Sequence, residues 1–111
     1  PGWCYSIYAM YYLCRNDYEK SLEAAKKINM PSTFWDMVLR LSAAGFLGDT
    51  KESRLAFQEL MEAFPDFMEN GLTYLGNNLT NQDLLVKTLE GMDKSGFFNL
   101  LKEYQTETVD N

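Results

Sequence analysis

The stretch Asn16-Asp17-Tyr18-Glu19-Lys20-Ser21 returns 32 residues later as Gly48-Asp49-Thr50-Lys51-Glu52-Ser53. Around it, Trp3 is answered by Trp35, Ala24 by Ala56 and Ile28 by Leu60 at the same offset. A period of thirty-odd residues in a helical sequence indicates stacked helical hairpins. Each hairpin carries an apolar face that it cannot bury alone.

Working outward from the first copy, residues 3–15 read as a helix. Tyr5, Tyr8, Ala9 and Tyr12 fall at i, i+3, i+4 and i+7 and share one face. The three tyrosines are expected to be core, turned toward the next helix. Asn16-Asp17 turns the chain, and residues 18–29 read as the second helix with Tyr18, Leu22, Ala25 and Ile28 inward, stopped by Pro31. In the second copy, Thr33 with Asp36 predicts an N-cap for a helix over 34–46. Gly48 predicts its C-terminal cap. Asp49 with Glu52 opens a helix over 50–63, with Leu55, Ala56, Phe57, Leu60 and Phe64 as its apolar set and Pro65 after it. Further helices are expected at about 66–75, at about 81–94 (capped by Thr80 with Asp83) and as a short last helix through Phe97, Phe98, Leu100, Leu101 and Tyr104. Residues 105–111 are polar and acidic and are expected to fray. No alternating β-branched run exists, so no strand is predicted.

The turn Leu47-Gly48-Asp49 with Ser53, Phe57, Leu60 and Pro65, and Asn16-Asp17-Tyr18 with Ser21, Ala25, Ile28 and Pro31, resemble the second half of the tetratricopeptide repeat. Ala9 and Tyr12 sit where that repeat has a small residue and an aromatic. The copies depart from the family pattern: Ser21 and Ser53 replace its small alanine, and Asn16 replaces its turn glycine. Leu41 and Ala44 stand at the positions of Ala9 and Tyr12, and both tryptophans are displaced by about two residues. The implied fold is all-α: two tetratricopeptide-like hairpins (about 3–31 and 35–65) stacked right-handedly, capping helices over 66–104 and a frayed tail over 105–111. The run from Pro65-Asp66-Phe67 to Leu89-Glu90-Gly91-Met92-Asp93-Lys94-Ser95-Gly96-Phe97 is similar to the tail closing the tetratricopeptide region of bacterial adenylate/guanylate cyclases and winged-helix regulators. The resemblance implies a cytoplasmic protein-binding or assembly module of a larger bacterial signalling protein. The opening Pro-Gly-Trp, close to a period boundary, is likewise read as the start of a piece of a longer polypeptide.

Composition narrows the function. The chain has 111 residues, 46% of them hydrophobic and 23% charged, enough for one folded domain with its own core. Its 10 basic and 16 acidic residues give a net charge of −6, and residues 66–111 hold 3 of the basic and 8 of the acidic groups. That balance argues against gripping nucleic acid or an anionic membrane. No apolar run approaches ~20 residues, so no membrane-spanning helix is expected. Cys4 and Cys14 lie on one predicted helix, roughly 15 Å apart in rise, too far to pair with each other. Free cysteines fit a reducing compartment.

There is no histidine, which removes histidine triads and histidine metal sites. No glycine-rich phosphate loop is present. Glu59/Glu62 and Asp66/Glu69 have i,i+3 spacing that could hold a cation, but read as solvated helix faces. The sequon Asn78-Leu79-Thr80 reads as chance. No residue is expected to be catalytic, and no cofactor, metal or small-molecule substrate is expected. A small all-helical enzyme and a nucleic-acid-binding helical repeat stand as the alternatives.

The best lead is aromatic. The resemblance places the first helix of each hairpin along a concave groove. Its lining would be Trp3, Ser6, Met10 and Leu13 in one copy and Trp35, Val38, Ser42 and Phe46 in the other. Such an apolar groove suits a partner helix or peptide. The competing expectation is that the later helices fold back and cover it. The N-terminal edge around Trp3, Ile7 and Tyr11 would serve stacking or self-association.

Overall fold

The computed structural model describes residues 2–28, 34–71, 73, 75–76 and 81–109, with the side chains of Trp3, Met68, Gln105 and 107–109 outside that description. Pro31, Thr33 and the sequon Asn78-Leu79-Thr80, all named above, lie outside the described residues. The helices are α1 (Gly2–Cys14), α2 (Tyr18–Lys26), α3 (Trp35–Leu47), α4 (Thr50–Ala63), α5 (Gln82–Lys94) and α6 (Phe97–Val109). In the helix expected over 66–75, Phe67–Gly71 forms a short π-helical turn and residues 73 and 75 are α-helical. No strand occurs among the described residues.

The 32-residue period is visible in the turns. Asn16 and Gly48 both take left-handed backbone, with φ of 63° and 71°. In the first copy the amide of Asn16 donates to the Leu13 carbonyl at 3.1 Å and that of Asp17 to the Tyr12 carbonyl at 2.9 Å. In the second, Gly48 donates to Gly45 at 3.2 Å and Asp49 to Ala44 at 2.9 Å. These are the two bonds that close a helix over a left-handed residue. The aspartate then starts the next helix. Asp17 accepts from the Lys20 amide at 3.3 Å and Asp49 from the Glu52 amide at 3.1 Å. Each turn thus ends one helix and begins another within four residues, so consecutive helices are brought against each other.

Packing follows chain order: α1 on α2, α2 on α3, α3 on α4. Ala24 and Ala25 of α2, with Ile28 just after it, meet Leu39 of α3 together with Ala9 and Leu13 of α1. The buried Ser21 hydroxyl ties the first hairpin by donating to the Ala9 carbonyl at 2.7 Å. A second core joins Val38 and Leu41 to Phe57, Leu60, Phe67, Leu75, Met92 and Phe97.

The C-terminal helices return onto this body. α5 lies along α3 and also touches α1. Gly45 and Gly91 make that crossing close, since a β-carbon on Gly45 would fall 2.0 Å from the Gly91 carbonyl oxygen. The buried Ser42 hydroxyl donates to the Thr88 carbonyl across the same contact, at 2.8 Å. The aromatic rings of Phe97 and Tyr104 on α6 meet Phe57 of α4 with centroids 5.7 and 6.4 Å away. The radius of gyration, 13.1 Å, matches the ~13 Å expected of a closed domain of this length.

Several local expectations change. Asn81, not Thr80, caps α5, its side chain accepting from the Leu84 amide at 3.2 Å. Phe34 precedes α3 without a side-chain cap. α6 continues to Val109, through the stretch expected to fray. Leu55 is exposed rather than core. Tyr8 is also exposed, because the α2 residues opposite it are lysines, which keep their ends in water and leave the tyrosine stripe open.

Candidate interaction surface

The residues named for partner contact fall into three environments. Leu13 and Val38 have no exposed surface and belong to the two cores. Phe46 is held from two sides: its ring stacks on Tyr18 of α2, with centroids 4.2 Å apart and planes at 4°. The Lys87 amine of α5 stands 5.0 Å from its centroid. Trp35 is half-buried and packs against both cores. The α3 face that carries Val38, Ser42 and Phe46 is therefore occupied by α5, as the competing expectation had it. The Trp3 side chain lies outside the described residues.

Met10, Ile7 and Tyr11 are in the third environment. Ile7 is 54% and Tyr11 53% exposed. With Met10, Cys14, Arg15, Asn81 and Leu84 they line a shallow hollow of about 410 Å³ between α1 and the start of α5. The Arg15 guanidinium sits 5.3 Å from the Tyr11 ring centroid, covering one edge of it. Ile7, Tyr11 and Cys14 repeat at i, i+4 and i+7, so this is a single stripe along α1. The share taken by Asn81 and Leu84 had no local signal, because it depends on α5 returning to α1. Cys14 was legible from the spacing alone.

The internal repeat explains the stripe. Thirty-two residues on from Ile7 and Tyr11 stand Leu39 and Ala43, both with no exposed surface. Leu39 is covered by Ala24, Ala25 and Ile28 of the preceding hairpin. At α1 no preceding hairpin is described, and the corresponding side chains are open.

The second hairpin holds the main buried charge. Arg40 of α3 is buried; its Nε donates to Glu52 at 3.0 Å and its Nη1 donates to Glu59. Burial disfavours the guanidinium charge, but the hydrogen bonds it donates to Glu59 and Glu52, with their negative charge, outweigh it and raise its pKa above the ordinary value. Lys26 of α2 also approaches Glu52, at 3.9 Å. Asp36, one turn before Arg40, has a buried Oδ1 without a hydrogen-bond partner. Burial raises its pKa, against the lowering by the Met37 amide and Arg40. Glu59 is therefore committed to Arg40, while Glu62, Asp66 and Glu69 stay exposed. Among the described residues no three cysteine or carboxylate side chains gather as a metal site, and no helix is long and apolar enough to cross a membrane.

No family model, no curated protein and no solved structure matches this chain.

Proposed function

We propose that the chain is a protein-assembly module whose outer α1 face docks the second helix of another helical hairpin. One observation carries this reading: Ile7 and Tyr11 are exposed where their repeat equivalents, Leu39 and Ala43, have no exposed surface, Leu39 sharing a core with Ala24 and Ala25 of α2. A partner helix that presents small residues, as α2 presents Ala24 and Ala25, would close over Ile7 and Tyr11 in the same way. Large apolar side chains standing together on a surface mark such contacts. The tetratricopeptide reading is supported by the duplicated left-handed turn and by the pairing of helices in chain order. A role in a bacterial signalling protein rests on the sequence resemblance alone.

The test is to add a third hairpin. A copy of residues 2–33 joined ahead of the chain brings its own α2 to Ile7 and Tyr11. One cooperative unfolding transition at higher denaturant, lost on Tyr11→Ser, is the expected result. An added hairpin that melts separately, with no shift in the rest, refutes the docking face. Sedimentation of the unmodified chain adds the occupant: a dimer dissociated by Tyr11→Ser means a second copy.

A further inference from the structure

The 32-residue offset also relates two clefts, and their charges are inverted. Between α1 and α2, Tyr5, Tyr8, Tyr12, Lys20, Glu23, Ala24 and Lys27 line a cleft of about 290 Å³. The positions 32 residues on from Tyr8, Lys20 and Lys27 are Arg40, Glu52 and Glu59. In the second hairpin, Arg40 crosses from α3 and lies between Glu52 and Glu59, so that cleft is filled by the chain's own ion pairs. In the first hairpin the two positions on the second helix are cationic. The position that should supply the opposite charge from α1 is Tyr8, which is neutral and exposed.

From this we infer that the α1–α2 cleft is a carboxylate-binding site, occupied by an aspartate or glutamate side chain of an acidic peptide segment. The acid would sit where Arg40 sits in the second hairpin, between two opposite charges two helical turns apart. The lysines already lean over the cleft: the Lys20 amine is 5.6 Å from the Tyr12 centroid and that of Lys27 is 5.8 Å from Tyr5. Their present carboxylate partners are weak ones. Asp17 stands 3.8 Å from Lys20 and Glu23 4.0 Å from Lys27, each on the same helix or its cap and each in solvent. Such pairs give way readily to a better-placed acid. Tyrosine hydroxyls add donors along the wall.

Charge over the whole chain favours this cleft. Residues 2–28 hold four basic and three acidic groups, whereas the remainder holds six basic and thirteen acidic. An acidic segment is therefore repelled from most of the surface and drawn to the first hairpin. The site uses different α1 side chains from the docking stripe and stands independently of it.

The test is fluorescence anisotropy of the full chain with a labelled octaglutamate peptide at low salt. Saturable binding is expected, weakened about tenfold by Lys20→Ala with Lys27→Ala. A second variant, Tyr8→Arg with Lys20→Glu and Lys27→Glu, copies the second hairpin into the first. It should fold as the wild type does by circular dichroism and lose the peptide. Absence of saturable binding to the wild-type chain overturns the inference, and so does binding that survives the double lysine substitution. Displacement of the peptide by millimolar inorganic phosphate would assign the cleft to phosphate and overturn it as a peptide site.

Discussion

Replacing Gly45 by alanine would test whether α5 truly seals the α3 face. The new methyl carbon would stand 2.0 Å from the Gly91 carbonyl oxygen and 2.7 Å from the Ser95 amide nitrogen, both backbone atoms, where contacts under 3.0 Å essentially do not occur. α5 must therefore retreat by roughly 1 Å. The Ser42–Thr88 hydrogen bond, 2.8 Å long, would then open beyond the range in which it counts as a bond. Overpacking of this kind costs about 1–3 kcal/mol, and a buried hydroxyl left unpaired adds roughly 1–3 kcal/mol. Against these, alanine in a helix interior gains about 1 kcal/mol over glycine. The net expectation is a loss of about 1–5 kcal/mol, centred near ~3, a large share of the ~5–15 kcal/mol that holds such a domain together. Urea unfolding reads it as a midpoint lower by about 1–2 M. Gly76→Ala is the control, because a β-carbon there meets nothing within 4 Å. The reasoning fails if Gly45→Ala is as stable as the wild type, since propensity would then have met no resistance. A variant whose α5 is pried loose should also bind apolar dyes, exposing the face around Val38 and Ser42.

Arg40→Ala should cost about 3 kcal/mol in denaturant unfolding, because it leaves the half-buried Glu52 and Asp36 without their cation. Glu59→Gln should cost less, since that side chain is 43% exposed. Asp36→Asn should stabilise the chain at neutral pH. The folded carboxyl keeps its proton to higher pH than the unfolded one, so the native state loses stability as pH rises from 3.8 through the raised value. The advantage of asparagine should therefore shrink as pH falls and vanish below that window; an advantage that grows in acid refutes the assignment. Asn16→Gly should hold or raise the melting temperature, because the position has φ of 63°. Asn16→Ala should cost about 1 kcal/mol there. Equal melting of the two variants would contradict the left-handed turn.

The parts of the fold legible in the sequence are those fixed within four residues. Asp17 and Asp49 cap helices where their side chains reach an amide three residues on, and a left-handed residue before each aspartate ends the previous helix. The later helices were placed by periodicity, yet where they would lie was not legible. The α3–α5 crossing depends on Gly45 and Gly91, which stand 46 residues apart. A glycine amid α3 did carry a signal, since it costs stability with no turn to justify it and so asks for a close contact. Arg40 went unread because its partners lie on another helix, although Glu52 and Glu59 at i,i+7 already shared a stripe.

Tyr8 departs from the expected core for a related reason, while Tyr5 and Tyr12 are half-buried. Their spacing fixes the face but not what stands opposite, and lysines stand where a core would need alanine or leucine. A repeat therefore transmits positions more faithfully than chemistry. Position 39 is leucine under a cover and position 7 is isoleucine in the open; position 40 is arginine among acids and position 8 is tyrosine among lysines. Where the same backbone position is satisfied in one hairpin and unsatisfied in the other, the difference is either wasted stability or a vacancy for another molecule. Wasted stability is hard to reconcile with the first hairpin, whose α2 is otherwise capped by Asp17 and fastened through Ser21. The open positions gather on α1 and the rim of α2, so both proposed binding faces lie within residues 2–28.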